Sequence, residues 1–168
     1  VRAVVSYFGT LKGMKRQDLA REIPRWLDEV GLTEWANRRV EDLSRGMQQK
    51  LQFVVTVIND PDLLILDEPF SGLDPVNLDM LRGIMVRLRD AGKTVIFSTH
   101  MMEQAEKLCD YILLIDKGRK VTDGTLADIR SAYPRNVVEV ELEGETDFVE
   151  ALPMVCGVKR DGRMLDVS

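Results

Sequence analysis

Leu63-Leu64-Ile65-Leu66-Asp67-Glu68-Pro69-Phe70-Ser71-Gly72-Leu73-Asp74-Pro75 runs four apolar residues into two adjacent carboxylates, then a turn, then a third acid before a proline. A short apolar run bounded by turn residues predicts a fully buried strand over 63–66. Acids at the C-terminal end of such a strand lie where open α/β sheets bind their ligands. Asp67 and Glu68 suit a metal-nucleotide there, one carboxylate facing a divalent cation and the next positioning water.

The alternation of elements continues on both sides. Upstream, Ser44 is a good N-cap for a helix whose apolar stripe is Met47, Leu51, Val54, Val55 and Ile58. Asn59-Asp60-Pro61 ends it. Residues 1–43 are expected to be helical as well, with Leu19, Ile23, Trp26 and Val30 at helical spacing and Gly31 as the stop. Pro24 is expected to break that pattern or kink the helix, and residues 34–39 to form a short helix or turn. Downstream, Asp74-Pro75 opens a helix with Leu78, Leu81, Met85 and Leu88 on its apolar face and Gly92 past its end. A β-branched strand follows at 94–97, then a helix at 101–108 and a strand at 111–115 that turns at Lys117-Gly118 into 119–122. Strands and helices alternating from 63 to 123 argue for a parallel sheet with crossover helices. After Ala132-Tyr133-Pro134 the run Val137-Val138-Glu139-Val140-Glu141-Leu142-Glu143 alternates apolar with acidic at strand period. A boundary is placed near residue 134, ahead of a small α+β tail.

Two more motifs flank the acids. Leu43-Ser44-Arg45-Gly46-Met47-Gln48-Gln49 precedes them, and Phe97-Ser98-Thr99-His100, with the chain's single histidine, follows. With these three motifs in this order, and 63–68 as a Walker B run, the chain resembles the ATP-binding subunit of an ABC transporter, in a bacterial or archaeal exporter-type form. The resemblance covers roughly residues 1–130. It implies an α/β fold, part of a P-loop NTPase domain. Residues 1–60 would be the helical and signature subdomain, 61–134 a portion of the nucleotide-binding core, and 135–168 a C-terminal accessory extension. No G-x-x-x-x-G-K-[ST] loop occurs in the chain. The likeness is therefore to the C-terminal part of such a domain, without its phosphate loop and Q-loop, and the chain alone is not expected to complete an ATP site. In the related fold the phosphate-loop strand lies between the strand before His100 and the strand from Tyr111. A gap with unpaired apolar edges, of the kind that template aggregation, is expected there.

The resemblance gives each candidate residue a role, and each also has a plainer explanation. Asp67 would hold Mg²⁺ and Glu68 would polarise the attacking water. Phosphoryl transfer leaves the protein mainly positioning and charge neutralisation, and Mg²⁺ uses few carboxylates because it keeps its waters. Plainly read, the two are acids capping a turn. Ser44 and Gly46 fit a signature that usually reads Leu-Ser-Gly-Gly-Gln, from which Arg45 and Met47 depart. A helix N-terminus presents N–H groups and partial positive charge to an anion, which in ABC dimers is the γ-phosphate bound by the opposite subunit. Ser44 is equally an N-cap. Asp74 falls at the D-loop position that lines the dimer interface, and it too reads as an N-cap before Pro75. His100 would be the switch histidine at the γ-phosphate; a lone histidine is more often structural, and the resemblance decides. Gln48 and Gln49 are expected to be exposed first-turn residues, and Trp26 and Trp35 to pack the helical subdomain.

Composition narrows the field. The 168 residues suffice for one core with a small appendage, and 45% hydrophobic with 30% charged residues is ordinary globular usage. A net charge of −5 argues against a nucleic-acid binder. No apolar run approaches the roughly 20 residues of a membrane span. Cys109 and Cys156 have neither metal-ligand nor redox spacing and read as small hydrophobes.

The expected function is ATP binding and hydrolysis, with ATP and Mg²⁺ as cofactors, in a head-to-tail pair with a second ATPase subunit. That pair would drive a transmembrane permease subunit from the cytoplasmic face of the cell membrane, with no nucleic acid involved. Two rivals are a non-transport ABC ATPase, which sustained heptads or a second signature would favour, and a non-catalytic regulatory half-domain offering only Ser44 and Asp74.

Overall fold

In the computed structural model the described residues are 1–132, 138–141, 147–149, 152–153, 155–161 and 164–167. They divide into two compact units, Val1–Leu108 and Cys109–Ser168.

The first unit opens with helices α1 (Arg2–Leu11), α2 (Arg16–Glu29) and α3 (Arg45–Val57), with 3₁₀ turns at Thr33–Trp35 and Val40–Asp42. The three helices pack on one another, burying Val5, Leu19, Ile23, Leu27 and Val54. Trp26 is buried edge-to-face on Phe53, at 6.4 Å and 72°. Trp35 is half-buried against the same core. α2 runs through Pro24 without ending. Pro24 is exposed, so the bond lost to its missing N–H lies on the solvent side, where water can replace it.

Ser44 and Asp74 both act as N-caps. Ser44 Oγ accepts from the Met47 N–H at 3.3 Å to start α3, and Asp74 accepts from the Asn77 N–H at 2.9 Å to start α4 (Pro75–Asp90). α4 links strands β1 (Leu63–Leu66) and β2 (Thr94–Phe97), which pair in parallel from Leu63↔Thr94 to Leu66↔Phe97. α5 (Met102–Leu108) closes the unit.

The expectation that 63–66 is fully buried needs correcting. Leu64 and Leu66 are buried at 1% and 8%, whereas Leu63 and Ile65 are 51% and 69% exposed. The pleat sends alternate side chains to opposite faces. One face meets the helical core, where Leu81, Ile84 and Met85 of α4 lie, while Leu63, Ile65 and Ile96 share the other face, uncovered among the described residues.

In the second unit, β3 (Ile112–Asp116) and β4 (Arg119–Gly124) form an antiparallel hairpin, and α6 (Leu126–Ala132) packs on β4. Lys117 and Gly118 both adopt positive φ, 48° and 73°, as a two-residue hairpin turn requires. Thus the 63–123 region is not one parallel sheet: among the described residues β2 pairs only with β1, and β3 only with β4. The expected domain boundary near 134 lies outside the described residues. Beyond it, β5 (Val138–Glu141), β6 (Val158–Asp161) and β7 (Met164–Val167) make an antiparallel sheet in the order β5-β7-β6. Cys109 and Cys156 are both free thiols, and burial pushes the Cys109 thiol up.

Candidate functional site

Asp67 and Glu68 leave the C-terminal end of β1, and Ser98 and His100 leave the same end of β2, because the parallel register sets Leu66 opposite Phe97. The backbone ladder continues one step further, the Ser98 N–H donating to the Leu66 carbonyl at 2.9 Å. The Ser98 hydroxyl donates to Asp67 Oδ1 and accepts from the Glu68 N–H at 2.9 Å. His100 Nδ1 meets Glu68 Oε1 at 2.9 Å. A third element reaches in from α3, where Gln49 Nε2 donates to the Glu68 carbonyl oxygen at 3.1 Å. The N–H, the carbonyl and the carboxylate of Glu68 are therefore held from three different places. Its backbone is left-handed, at φ 44°. For a non-glycine residue that conformation costs about 1–3 kcal/mol and persists only where the surroundings enforce it.

Behind Glu68 lies the turn 69–74, anchored by Phe70, which is 2% exposed and set edge-to-face on Phe97 at 5.7 Å. The start of α3 is pressed against this turn. A Cβ on Gly46 would sit 3.0 Å from the Gly72 carbonyl oxygen, so any larger residue would push helix and turn apart by a few tenths of an ångström. Gly72 itself has φ 75°, which glycine adopts without strain. At the end of the turn the Asn77 backbone N–H, then its side-chain amide, donates to Asp74 and holds that carboxyl below the usual carboxylate range.

The candidates thus fall into two groups. Asp67, Glu68 and His100 converge at the strand ends, joined by Ser98. Ser44, Gly46 and Asp74 lie on the α3 start and the adjoining turn, with Ser44 and Asp74 exposed. Gln49 corrects its sequence expectation. It is half-buried and bonded to Glu68, while Gln48 stays exposed and donates to the Leu43 carbonyl at 3.0 Å. Helical spacing carries the missed signal: Gly46, Gln49, Lys50 and Phe53 fall at i, i+3, i+4 and i+7, one face directed at the core and the turn. Ser98 was legible only as a hydroxyl directly after a strand.

Asp67 is exposed, with Oδ1 engaged by Ser98. Among the described residues there is no cluster of three or more His, Cys, Asp or Glu that could hold a metal. One carboxylate beside open solvent fits a hydrated Mg²⁺ brought with nucleotide phosphates, since that ion keeps several waters.

A family model described as "AAA domain, putative AbiEii toxin, Type IV TA system" matches residues 12–103. An uncharacterised ABC transporter ATP-binding protein of Bacillus subtilis is 38% identical over 151 residues, 90% of this chain and 51% of that protein. A Nod factor export ATP-binding protein I of Cupriavidus metallidurans is 40% identical over 149 residues, 86% of this chain and 49% of that protein. A solved ATP-binding subunit of an ABC transporter superposes with a TM-score of 0.73 at 31% identity, covering 79% of this chain and 55% of that one. The chain spans about half the length of the curated relatives it matches.

Proposed function

This chain belongs to the AAA-domain family by its model match and to the ATP-binding proteins of ABC transporters by its relatives, and from that premise we propose that it supplies the Walker B and signature portion of an ATPase that powers export through a membrane partner. The observation that carries the proposal is the convergence of Asp67, Glu68, Ser98 and His100 at the ends of two adjacent parallel strands.

Mg²⁺, when bound, neutralises charge on the nucleotide phosphates. Asp67 would hold it through water, fixed in direction by the Ser98 hydroxyl. Glu68 would accept a hydrogen bond from the attacking water and polarise it, its carboxylate aimed by His100. His100 is 79% exposed at its side chain and has room to turn from Glu68 toward a γ-phosphate. Ser44 and the α3 N-terminus, both facing solvent, would meet the γ-phosphate held by a second ATPase subunit, with Asp74 at the same interface. On α1, Tyr7 and Leu11 are 64% and 70% exposed with Phe8 beside them, and this face would receive a cytoplasmic loop of the permease. The membrane association proposed is peripheral, since no described helix is long and apolar enough to cross a bilayer. The domain division stands with these proposals: a nucleotide-binding portion to about residue 134 and an accessory extension after it.

The test is steady-state Mg-ATP hydrolysis by this chain joined to a phosphate-loop segment, with the chain alone as control. The joined form is expected to turn over ATP. The chain alone is expected to give no saturable Mg-ATP isotherm, because no G-x-x-x-x-G-K-[ST] cradle is among its 168 residues. A tight one-site isotherm for the chain alone, or no turnover by the joined form, overturns the proposal.

A further inference from the structure

Lys50 lies on the α3 face that meets the turn, and it is only 7% exposed. Its Nζ donates to Asn77 Oδ1 at 2.9 Å rather than to a carboxylate. Asn77 in turn donates twice to Asp74, the backbone N–H to Oδ1 at 2.9 Å and Nδ2 to Oδ2 at 2.5 Å. A Cβ added at Gly31 would sit 3.9 Å from Lys50 Nζ. The ammonium therefore also lies beside the C-terminal end of α2, the end of a helix that favours a cation. One amine thus joins the end of α2, the middle of α3 and the start of α4.

Burying an ammonium is costly unless its protons are bonded, and burial pushes this one down while the Asp74 charge opposes the fall. A methionine could fill the same space without that cost. The amine does what an apolar side chain cannot, which is to bond the Asn77 amide oxygen from α3 and so tie the start of α4 to that helix. With Oδ1 claimed by Lys50, Nδ2 must point at Asp74, and both oxygens of Asp74 are then fixed. Asp74, which only accepts, selects the same Nδ2 face, so without Lys50 the amide keeps its contact to Asp74 but its oxygen loses the tether to α3.

We infer that Lys50 is a positioning residue that, through Asn77, locks the Asp74 turn onto the signature helix α3. The catalytic consequence of the lock rests on the proposed interface role of Asp74, but the lock itself does not.

The test begins with the 168-residue chain itself. Lys50→Met is expected to speed hydrogen exchange of the Asn77 amide by about 10-fold. The Gln48 amide, which bonds the Ser44 carbonyl at the start of α3, should keep its wild-type rate. Lys50→Arg, which preserves the cation and its donors, is expected to restore Asn77. Equal acceleration at both amides makes Lys50 a general stabiliser, and an unchanged Asn77 means that Asp74 holds the turn unaided; either overturns the lock. Should Lys50→Met not fold, Asn77→Ala at the half-buried surface is read instead. The Lys50 ammonium protons are expected to be visible in the nitrogen-edited spectrum of the wild type and to vanish in this variant; their absence from the wild type or their persistence in the variant overturns the lock. In the joined ATPase, Lys50→Met and Asn77→Ala are each expected to lower kcat about 10-fold with KM unchanged, and the double variant to be no worse than the worse single. Additive losses there overturn the lock, whereas an inactive wild type counts against the ATPase proposal and leaves the exchange result to judge the lock.

Discussion

Replacing Glu68 by Gln in the joined ATPase is expected to cut turnover by about 10²–10⁴-fold, the usual worth of a positioned general base, with Mg-ATP binding close to wild type. The substitution keeps the volume of the side chain and a possible contact to His100, so the fold should not respond. What is lost is the charge. The carboxylate oxygen 2.9 Å from His100 Nδ1 is aimed by the imidazole, and its backbone is pinned by Ser98 on one side and Gln49 on the other. A group held in advance at its N–H, its carbonyl oxygen and one carboxylate oxygen needs little reorganisation when charge develops beside it. The measurement is kcat against KM for Mg-ATP. Steady hydrolysis within a few-fold of wild type would remove Glu68 from the mechanism.

The largest effect on stability is expected from Phe70→Ala, a loss of about 3–5 kcal/mol. Phe70 is 2% exposed, and its ring meets Phe97 edge-to-face at 83°. Truncation forfeits the buried area, the aromatic pair and the packing around the vacated space. Domains commonly hold only about 5–15 kcal/mol in total, so this one change would consume a large share. The check is the urea midpoint of the chain with its slope unchanged; a shift worth less than about 1 kcal/mol would mean that the core collapses into the space. Because Phe70 follows Glu68 by two residues, the variant should also loosen the Glu68 turn.

The elements around the site were legible wherever local chemistry marks an end. Ser44, Asp74-Pro75 and Gly92 delimit α3 and α4, and the β-branched run Thr94–Phe97 is β2 as the sequence predicts. Burial of β1 was not legible. Four consecutive apolar residues look the same whether one face of a strand is covered or both, and only the structure distinguishes Leu64 at 1% from Ile65 at 69%. Pro24 misled for a related reason: a proline breaks a helix by removing an N–H, yet on an exposed face water absorbs the loss. The three acids and the histidine were picked out by motif, but their contacts were not. Ser98, Gln49, Lys50 and Asn77 are polar residues of common type whose importance comes from partners 19 to 31 positions away, and no local pattern reports a partner at that distance.

The left-handed backbone of Glu68 separates two properties that usually rise together. Glycine would sit at φ 44° without penalty, so the residue best suited to folding at position 68 is one with no side chain at all. The carboxylate is retained against that preference, at a cost comparable to what a single well-made helix cap contributes. Position 68 is therefore a point where a sequence optimised purely for thermal endurance and one optimised for turnover would part company, and a stabilised variant chosen without regard to chemistry would be drawn to abandon it.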